Sequence, residues 1–389
     1  MKPIYMGCLA GIGQGGLGSH LQFISRAAVM RGSRAHVYCR GGQEEGAQTQ
    51  FVPDPAWFRF TPYTPLRWMT GSQVYLESVY FDRRVCRLLP RTPMIYHGFP
   101  GYAEASFREI RRRGGVTVLE AATTHALELF QATEREHEAF NMKGSPYSRP
   151  WLDRVLREYE LADYISVASA LQYESFVRHG IPRSKLLYAP LGVNVSRFRP
   201  EPGQQSLRPR EKNEPFRVIQ VGQISLRKGF VYLLEAAARL QDPKLEIMLF
   251  GGIGWRAIRG LIESYSRRGV RITAASGDPL PALRSAHLCI HPSVEDGFGL
   301  APLEAMAAGL PAVVTEQTGM KEAIADGTSG FIIPARDPDA IARCIKLLKA
   351  DDARRVSMAE AAREAALGYD AALRMKGYAR ELEPIWGSA

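Results

Sequence analysis

The chain has 389 residues, 46% of them hydrophobic and 23% charged, without a low-complexity tract. That composition is ordinary for a soluble globular enzyme, and the size predicts two domains rather than one core. Its formal charge of +10 is compatible with nucleic acid, an anionic membrane surface, phosphorylated substrates, or a solvated basic surface with no partner. No apolar run approaches the roughly 20 residues of a membrane span. Five scattered cysteines, odd in number and without C-x-x-C spacing, argue against a disulfide framework or zinc site and for a reducing cytoplasm.

In chain order, "IYMGCLA" reads as a first strand rather than a signal peptide. "GIGQGGLGS" reads as a glycine loop, and "HLQFISRAAVMRG" as a helix that stops at Gly32. "AHVYCR" is a second strand. Residues 50–75 are irregular and aromatic-rich (Trp57, Phe58, Phe60, Tyr63, Trp68), with a helix around 77–88 and a buried strand in "PMIYHG". "YAEASFREIRRRGG" is an amphipathic basic helix, and "VTVLEA" the strand after it. "WLDRVLREYELA", "YISVAS", "ALQYESFVRHG" and "KLLYAP" continue as helix, strand, helix and strand. Such β/α alternation predicts a mostly parallel sheet.

Composition shifts at 199–215, "RPEPGQQSLRPREKNEP", which reads as a linker. A second alternation follows it, through "FRVIQVG", "FVYLLEAAARL", "LEIMLFGG", "WRAIRGLIESYSRRG", "VRITAA", "LCIHPS", "LAPLEAMAAG", "LPAVVT" and "GFIIPA". Two tandem β/α domains suggest a cleft between them, with ligands outside the carboxyl ends of strands.

The chemistry concentrates in "EDGFGLAPLEAMAAG", 295–309. Glu304 is the only charged residue between Leu300 and Val314, and a carboxylate in such company needs a bonding partner. In one continuous helix Asp296 and Glu304 would lie about 12 Å apart along the axis, but Gly297 and Gly299 make that helix unlikely to form. The spacing instead predicts a strand end at "HPS", a loop at "VEDGFG" and a helix from Leu300. A sugar hydroxyl at Asp296, a ribose diol at Glu304 and a phosphate near Gly297–Gly299 would satisfy all three features. The alternative makes Asp296 a helix-capping acid and Glu304 an internally bonded glutamate.

"HPSVEDGFGLAPLEAMAAGLPAVVTEQTGMKEAIADGTSGFIIP" resembles the C-terminal signature of retaining glycosyltransferases of the GT-B fold, family four, with E-x7-E appearing as Asp296-x7-Glu304. "VGQISLRKGFVYLLEAA" is similar to that family's diphosphate-binding segment. There the resemblance makes Lys228 a diphosphate ligand, puts Gln223 where the family has arginine, and leaves Arg227 as the neighbouring cation. "GIGQGGLGSHL" resembles the family's glycine loop, with Gly15 and Gly16 the best match. A dinucleotide fingerprint fits only as Gly11-x-Gly13-x-x-Gly16 and lacks an acid after the second strand, which ends Cys39-Arg40. "TVLEAATTHALE" places His125 where the family has a histidine facing the donor sugar.

The resemblance implies an α/β GT-B fold: two Rossmann-like domains, 1–198 for the acceptor and 199–368 for the donor, facing a cleft. A C-terminal helix, about 369–389, is expected to cross back onto the first. It implies transfer of a sugar with retention from a nucleoside-diphosphate sugar to an acceptor hydroxyl, in bacterial-type cell-surface polysaccharide or glycolipid assembly. His125, Lys228 and Asp296 are its catalytic candidates. Gly15, Gly16, Gln223, Arg227, Gly297, Phe298, Gly299, Leu300 and Glu304 are its binding candidates. Neither metal nor cofactor is expected, and no nucleic acid. The acceptor is expected to be a saccharide or lipid-linked saccharide. The charge suggests peripheral contact with an anionic membrane on its cytoplasmic face through 101–113 and 57–68. The alternatives are a sugar-nucleotide epimerase of the same architecture and a non-enzymatic basic binding protein.

Overall fold

The computed structural model describes residues 3–55, 70–254 and 256–388. It divides into two compact units, Met1–Leu191 with Arg374–Ala389, and Gly192–Leu373. In the first unit the order is β1 (Ile4–Gly7), α1 (Gly15–Met30), β2 (Ala35–Cys39), β3 (Ala47–Phe51), α2 (Thr70–Leu88), β4 (Ile95–Gly98) and α3 (Glu104–Arg112). It continues with β5 (Val116–Glu120), α4 (Ala126–Ala139), α5 (Arg149–Leu161), β6 (Tyr164–Val167), α6 (Ala170–Arg178) and β7 (Leu186–Tyr188). The seven strands form one parallel sheet in the order β3-β2-β1-β4-β5-β6-β7. Its central strands β1 and β4 are buried throughout, as a sheet covered on both faces requires.

The second unit runs β8 (Phe216–Val221), α7 (Phe230–Leu240), β9 (Leu245–Phe250), α8 (Arg256–Arg267), β10 (Arg271–Ala275), α9 (Leu280–Ser285) and β11 (Leu288–His291). Then come α10 (Leu300–Ala307), β12 (Ala312–Thr315), β13 (Gly330–Ile333), α11 (Pro338–Ala350) and α12 (Asp352–Leu367). Its six strands are also parallel, in the order β10-β9-β8-β11-β12-β13. The chain closes with α13 (Ala371–Glu381) and α14 (Glu383–Ser388), which group with the first unit from Arg374 onward.

Several readings from sequence need correction. Residues 199–215 are not a linker but part of the second unit. Gln204 Nε2 donates to Ala308 O at 2.6 Å. Arg355, fully buried, donates to the carbonyls of Ser206 and Arg208 at 2.7 and 2.8 Å. The polar composition there serves hydrogen bonds, not solvation. β3 escaped notice because "AQTQF" is a mostly exposed edge strand with no apolar alternation. α1 starts at Gly15, inside the stretch read as a loop, and α2 starts at Thr70 rather than near 77.

The basic helix read at 101–113 is α3, and it offers no apolar face to a membrane, since Phe107 and Ile110 are buried in the core. Its arginines are matched by acids: Arg108 with Glu104 (3.0 Å), Arg112 and Arg113 with Glu109 (2.6 and 2.7 Å), Arg111 with Asp163 (3.6 Å). The other proposed contact, 57–68, lies outside the described residues.

The C-terminal segment is anchored by a buried polar cluster. Tyr378 Oη donates to Glu120 Oε1 at 2.6 Å, and Trp386 Nε1 donates to His97 Nε2 at 3.0 Å. Because Nε2 accepts from Trp386, the ring proton sits on Nδ1, which donates to Glu120 at 2.6 Å. Burial would raise the Glu120 carboxyl, but His20, whose Nε2 lies 3.3 Å from Oε2, and the hydrogen-bonded His97 outweigh it and hold the group below its ordinary range. Tyr378→Phe removes a donor from a fully buried carboxylate. It should cost about 1.5–3 kcal/mol, read as a lower urea midpoint for the first unit's unfolding.

Candidate active site

In the second sheet the strand order reverses between β8 and β11, the point where open α/β sheets bind ligands. Two loops leave the carboxyl ends of these neighbours. After β8 a single 3-10 turn, Leu226–Lys228, carries two adjacent cations; after β11 the loop 292–299 carries two adjacent acids. Gln220 Nε2 donates to Lys228 O at 2.8 Å, and Val294 N donates to Arg227 O at 2.9 Å, so backbone and core fix one loop against the other. Gly229 has φ +69°, and a Cβ there would lie 1.9 Å from Pro292 O. Only glycine allows this approach.

The charges pair in register. Arg227 Nη1 donates to Glu295 Oε2 and to Glu295 O, both at 2.9 Å. Lys228 Nζ donates to Asp296 Oδ2, which also lies 2.7 Å from His291 Nε2. Burial would raise the Asp296 carboxyl, but Lys228, His291 and Arg227 outweigh it and keep it well below the ordinary range. Burial lowers Lys228, partly offset by Asp296, and lowers His291 as well. Arg227 is therefore spent on Glu295 rather than presented as a substitute for the missing arginine. Gln223 is exposed at the start of the turn.

Backbone bonds from Asp296 N to Gln317 O (2.9 Å), Gly319 N to Asp296 O (3.0 Å) and Met320 N to Phe298 O (2.6 Å) hold the acid loop. Phe298, expected to contact substrate, is buried beside Tyr369, with ring centroids 6.4 Å apart. It anchors the loop. Gly297 is buried, and Gly299, at φ +93°, precedes α10, which begins at Leu300 without a side-chain cap. Asp296 is thus not a capping acid. Glu304 lies in the second turn of α10, half-buried, and no described residue donates a hydrogen bond to its carboxylate. Burial pushes that carboxyl up to about 7, with Arg197 pulling it down and Asp278 raising it. It is not an internally bonded glutamate either.

The uncapped start of α10 is one of a set. α5, α6, α11 and α12 are capped by Ser148, Ser169, Asp337 and Asp351, and α3 by Asp82 and Glu158 from other helices. Among the helices whose caps are described, α1, α7 and α10, which follow the switch-point strands β1, β8 and β11, combine a Gln or Gly cap with no acid in their first turn.

In the first unit the strand order reverses between β1 and β4. Gly15 and Gly16 form the exposed first turn of α1 after β1. His125 does follow β5, but the residue is 4% exposed and its ring serves as the N-cap of α4, Nδ1 accepting from Leu127 N at 3.3 Å. Its backbone N donates to Ser175 Oγ at 3.0 Å, and it stacks on His179 at 4.3 Å. Burial, then His179, lowers its pKa to about 3. The structure makes His125 a neutral, structural imidazole, which corrects its reading as a ring facing a sugar. The residue that sequence reasoning missed is His291: "HPS" marked only a strand end, although a histidine five positions before an acid was visible in it. Among the described residues no three His, Cys, Asp or Glu side chains gather as metal ligands would.

Residues 204–365 match the family model described as glycosyl transferases group 1. Among curated relatives, the D-inositol 3-phosphate glycosyltransferase of Streptomyces avermitilis is 31% identical over 242 residues, 56% of this chain and 52% of that protein. The chain spans about half the length of the curated relatives it matches. Sucrose-phosphate synthase from Thermosynechococcus elongatus superposes with a TM-score of 0.78 over 100% of both chains, at 18% identity. HepE of Anabaena, solved in complex with UDP-glucose, superposes with a TM-score of 0.69 over 99% of this chain and 100% of its own, at 16% identity. The chain therefore has the GT-B fold, and its second unit carries the match to the group 1 glycosyl transferases.

Proposed function

We propose that this protein is a retaining glycosyltransferase that uses a nucleoside-diphosphate sugar and needs no metal. The observation that carries the reading is Glu304. A half-buried acid without a hydrogen bond, just inside an uncapped helix at a sheet's switch point, is incomplete until a ligand's hydroxyls reach it. A ribose diol is such a ligand. Its diphosphate would then meet the first-turn N–H groups of α10 and the Lys228 ammonium, and Asp296 would accept from a donor-sugar hydroxyl. The match of 204–365 to group 1 glycosyl transferases supports the assignment, as does the fold shared with a UDP-glucose complex.

In the proposed reaction the bond from C1 of the sugar to the diphosphate oxygen lengthens toward an oxocarbenium-like state. The bonding pair leaves with the diphosphate, whose growing charge Lys228 and the helix start stabilise. The acceptor oxygen bonds to C1 on the same face, and its proton passes to the departing phosphate oxygen. No protein nucleophile enters. Gly15 and Gly16, at the uncapped start of α1, would offer backbone N–H groups to a phosphate.

The acceptor we propose is a saccharide or lipid-linked saccharide met at an anionic membrane surface, in cell-surface polysaccharide or glycolipid assembly. No described helix is long and apolar enough to cross a membrane. α2 suits surface contact better than α3. Its buried face carries Phe81 and Val85, and its opposite face carries Leu76, 38% exposed, with exposed Arg83, Arg84 and Arg87. None of the three arginines forms an ion pair with a described residue. Flotation with phosphatidylglycerol vesicles should show salt-sensitive binding. Reversing the three α2 arginines to Glu should weaken it roughly 100-fold or more, at about 1 kcal/mol per charge, whereas Arg108→Glu with Arg112→Glu should not. Equal binding by the α2 variant would remove α2 as the contact.

Thermal shift with UDP, GDP and ADP, followed by hydrolysis of their sugars, tests the reaction. Glu304→Ala should raise the nucleoside diphosphate Kd roughly tenfold or more, while Asp296→Ala should lower kcat roughly 100-fold with little change in that Kd. If neither variant moves either quantity, the site has been misassigned.

Glu304 also gives two pH signatures. An ionised carboxylate accepts the ribose hydroxyls, so nucleotide affinity should tighten as pH rises through about 7, and Glu304→Gln should flatten that profile. In the free protein the raised carboxyl contributes stability that is complete below 4.5 and lost as pH rises through about 7. Glu304→Gln should therefore raise the melting temperature at alkaline pH and leave it unchanged at acid pH.

A further inference from the structure

His291 ends β11 with 2% exposure. Its Nε2 lies 2.7 Å from Asp296 Oδ2 and 2.9 Å from Ser293 Oγ, and its buried Nδ1 has no hydrogen-bond partner. These contacts fix the ring proton. A proton on Nδ1 would leave a buried N–H unmet and turn the Nε2 lone pair toward a carboxylate. A proton on Nε2 is accepted by Asp296, shared with Ser293 Oγ, and leaves only a lone pair unpaired. A doubly protonated ring would again strand Nδ1–H.

Asp296, from the same loop, and Lys228 and Arg227, from the turn after β8, are the charged groups that act on the ring. From the β12 side, Thr315 Oγ1 donates to Ser293 O at 2.6 Å and lies 3.3 Å from Thr318 Oγ1, adding no charge. Asp296 Oδ2 therefore takes two donors, His291 Nε2–H and Lys228 Nζ, whereas Oδ1 takes none from any described residue.

We propose that His291 is the positioning residue of this site: its Nε2–H holds Asp296 Oδ2, which fixes the carboxylate plane and leaves Oδ1 for a hydroxyl of the donor sugar. The inference rests on the proposed reading of Asp296 as the donor-sugar ligand. Ser293 Oγ, held through its own backbone by Thr315, keeps the ring in plane. A second donor on Oδ2 also means that Asp296 stays oriented when Lys228 turns toward an incoming phosphate.

The first test uses the full chain with 15N-labelled histidine, His291 being assigned by the signal missing from His291→Gln. The ring should be the neutral Nε2–H tautomer throughout about pH 5.5–8.5. An Nδ1–H tautomer, or titration inside that range, overturns the proposal whether or not any sugar is turned over. The second test measures hydrolysis of UDP-, GDP- and ADP-glucose beside the Kd of the matching nucleoside diphosphate. His291→Leu should lower kcat roughly tenfold or more with Kd unchanged within about threefold, and His291→Gln, whose amide N–H reaches the same point, should restore most of it. An undiminished kcat in His291→Leu, or equal loss of kcat and nucleotide affinity, overturns it. Failure of UDP, GDP and ADP to bind the wild type counts against glycosyl transfer alone, and the imidazole spectrum then decides for or against His291.

Discussion

Two cations from one strand's exit turn meet two acids from the next strand's exit loop, and the rest of the site depends on that match. Arg227 with Glu295 and Lys228 with Asp296 are pairs 68 residues apart in sequence, formed side by side because β8 and β11 are neighbours. Each partner is largely buried, so neither charge would be tolerated alone. Pairing is what lets a concentrated set of largely buried charges exist at the carboxyl end of a sheet. It also fixes direction. Because Arg227 is held by a side chain and a carbonyl of Glu295 together, Lys228 is the member of the turn left beside Asp296.

The same economy of donors separates helices whose starts are capped from within the protein from helices whose starts are not. Asp82 and Glu158 are fully buried and are tolerated because each accepts backbone N–H groups around the start of α3. Arg154 Nε also donates to Gly101 O at 2.8 Å, completing a closed network. At α10 the first turn has neither an acid nor a capping side chain. A helix start of that kind is stabilised by an anion from outside. The contrast within one molecule marks α10 more clearly than its own sequence does.

Much of the second unit was legible because its motif encodes an order of elements. Gly297 and Gly299 forbid a continuous helix, which put Asp296 on a loop and the start of α10 at Leu300, as the structure has it. Spacing also put Glu304 inside the helix. What spacing could not encode was pairing across distance: that Arg227 faces Glu295, or that His291 reaches five residues forward to Asp296. His125 was located correctly after β5 and misread in direction, since stacking on His179 and packing beside Tyr159 and Phe176 draw its ring inward. Residues 199–215 misled for a related reason. Polar composition looks the same whether the partners are water or the buried guanidinium of Arg355.

The departures from the family pattern act together rather than separately. Gln223 leaves a neutral side chain where the resembled pattern has arginine, and Glu295 consumes the charge of Arg227. The four charged residues of the turn and loop sum to zero. On the proposed reading, the field that draws electrons into the leaving diphosphate comes from Lys228 and the helix start, and Lys228 is shared with Asp296. Aspartate, one methylene shorter than the glutamate of the family pattern, keeps its carboxylate close to its own backbone, within reach of both Lys228 and His291. On that same reading, an arriving diphosphate would compete with Asp296 for Lys228. An acid held by lysine alone would lose its orientation as the competition was won; an acid held by lysine and a neutral imidazole keeps it. The two donors on Oδ2 are the structural condition under which one lysine can serve both the resting ion pair and the departing phosphate.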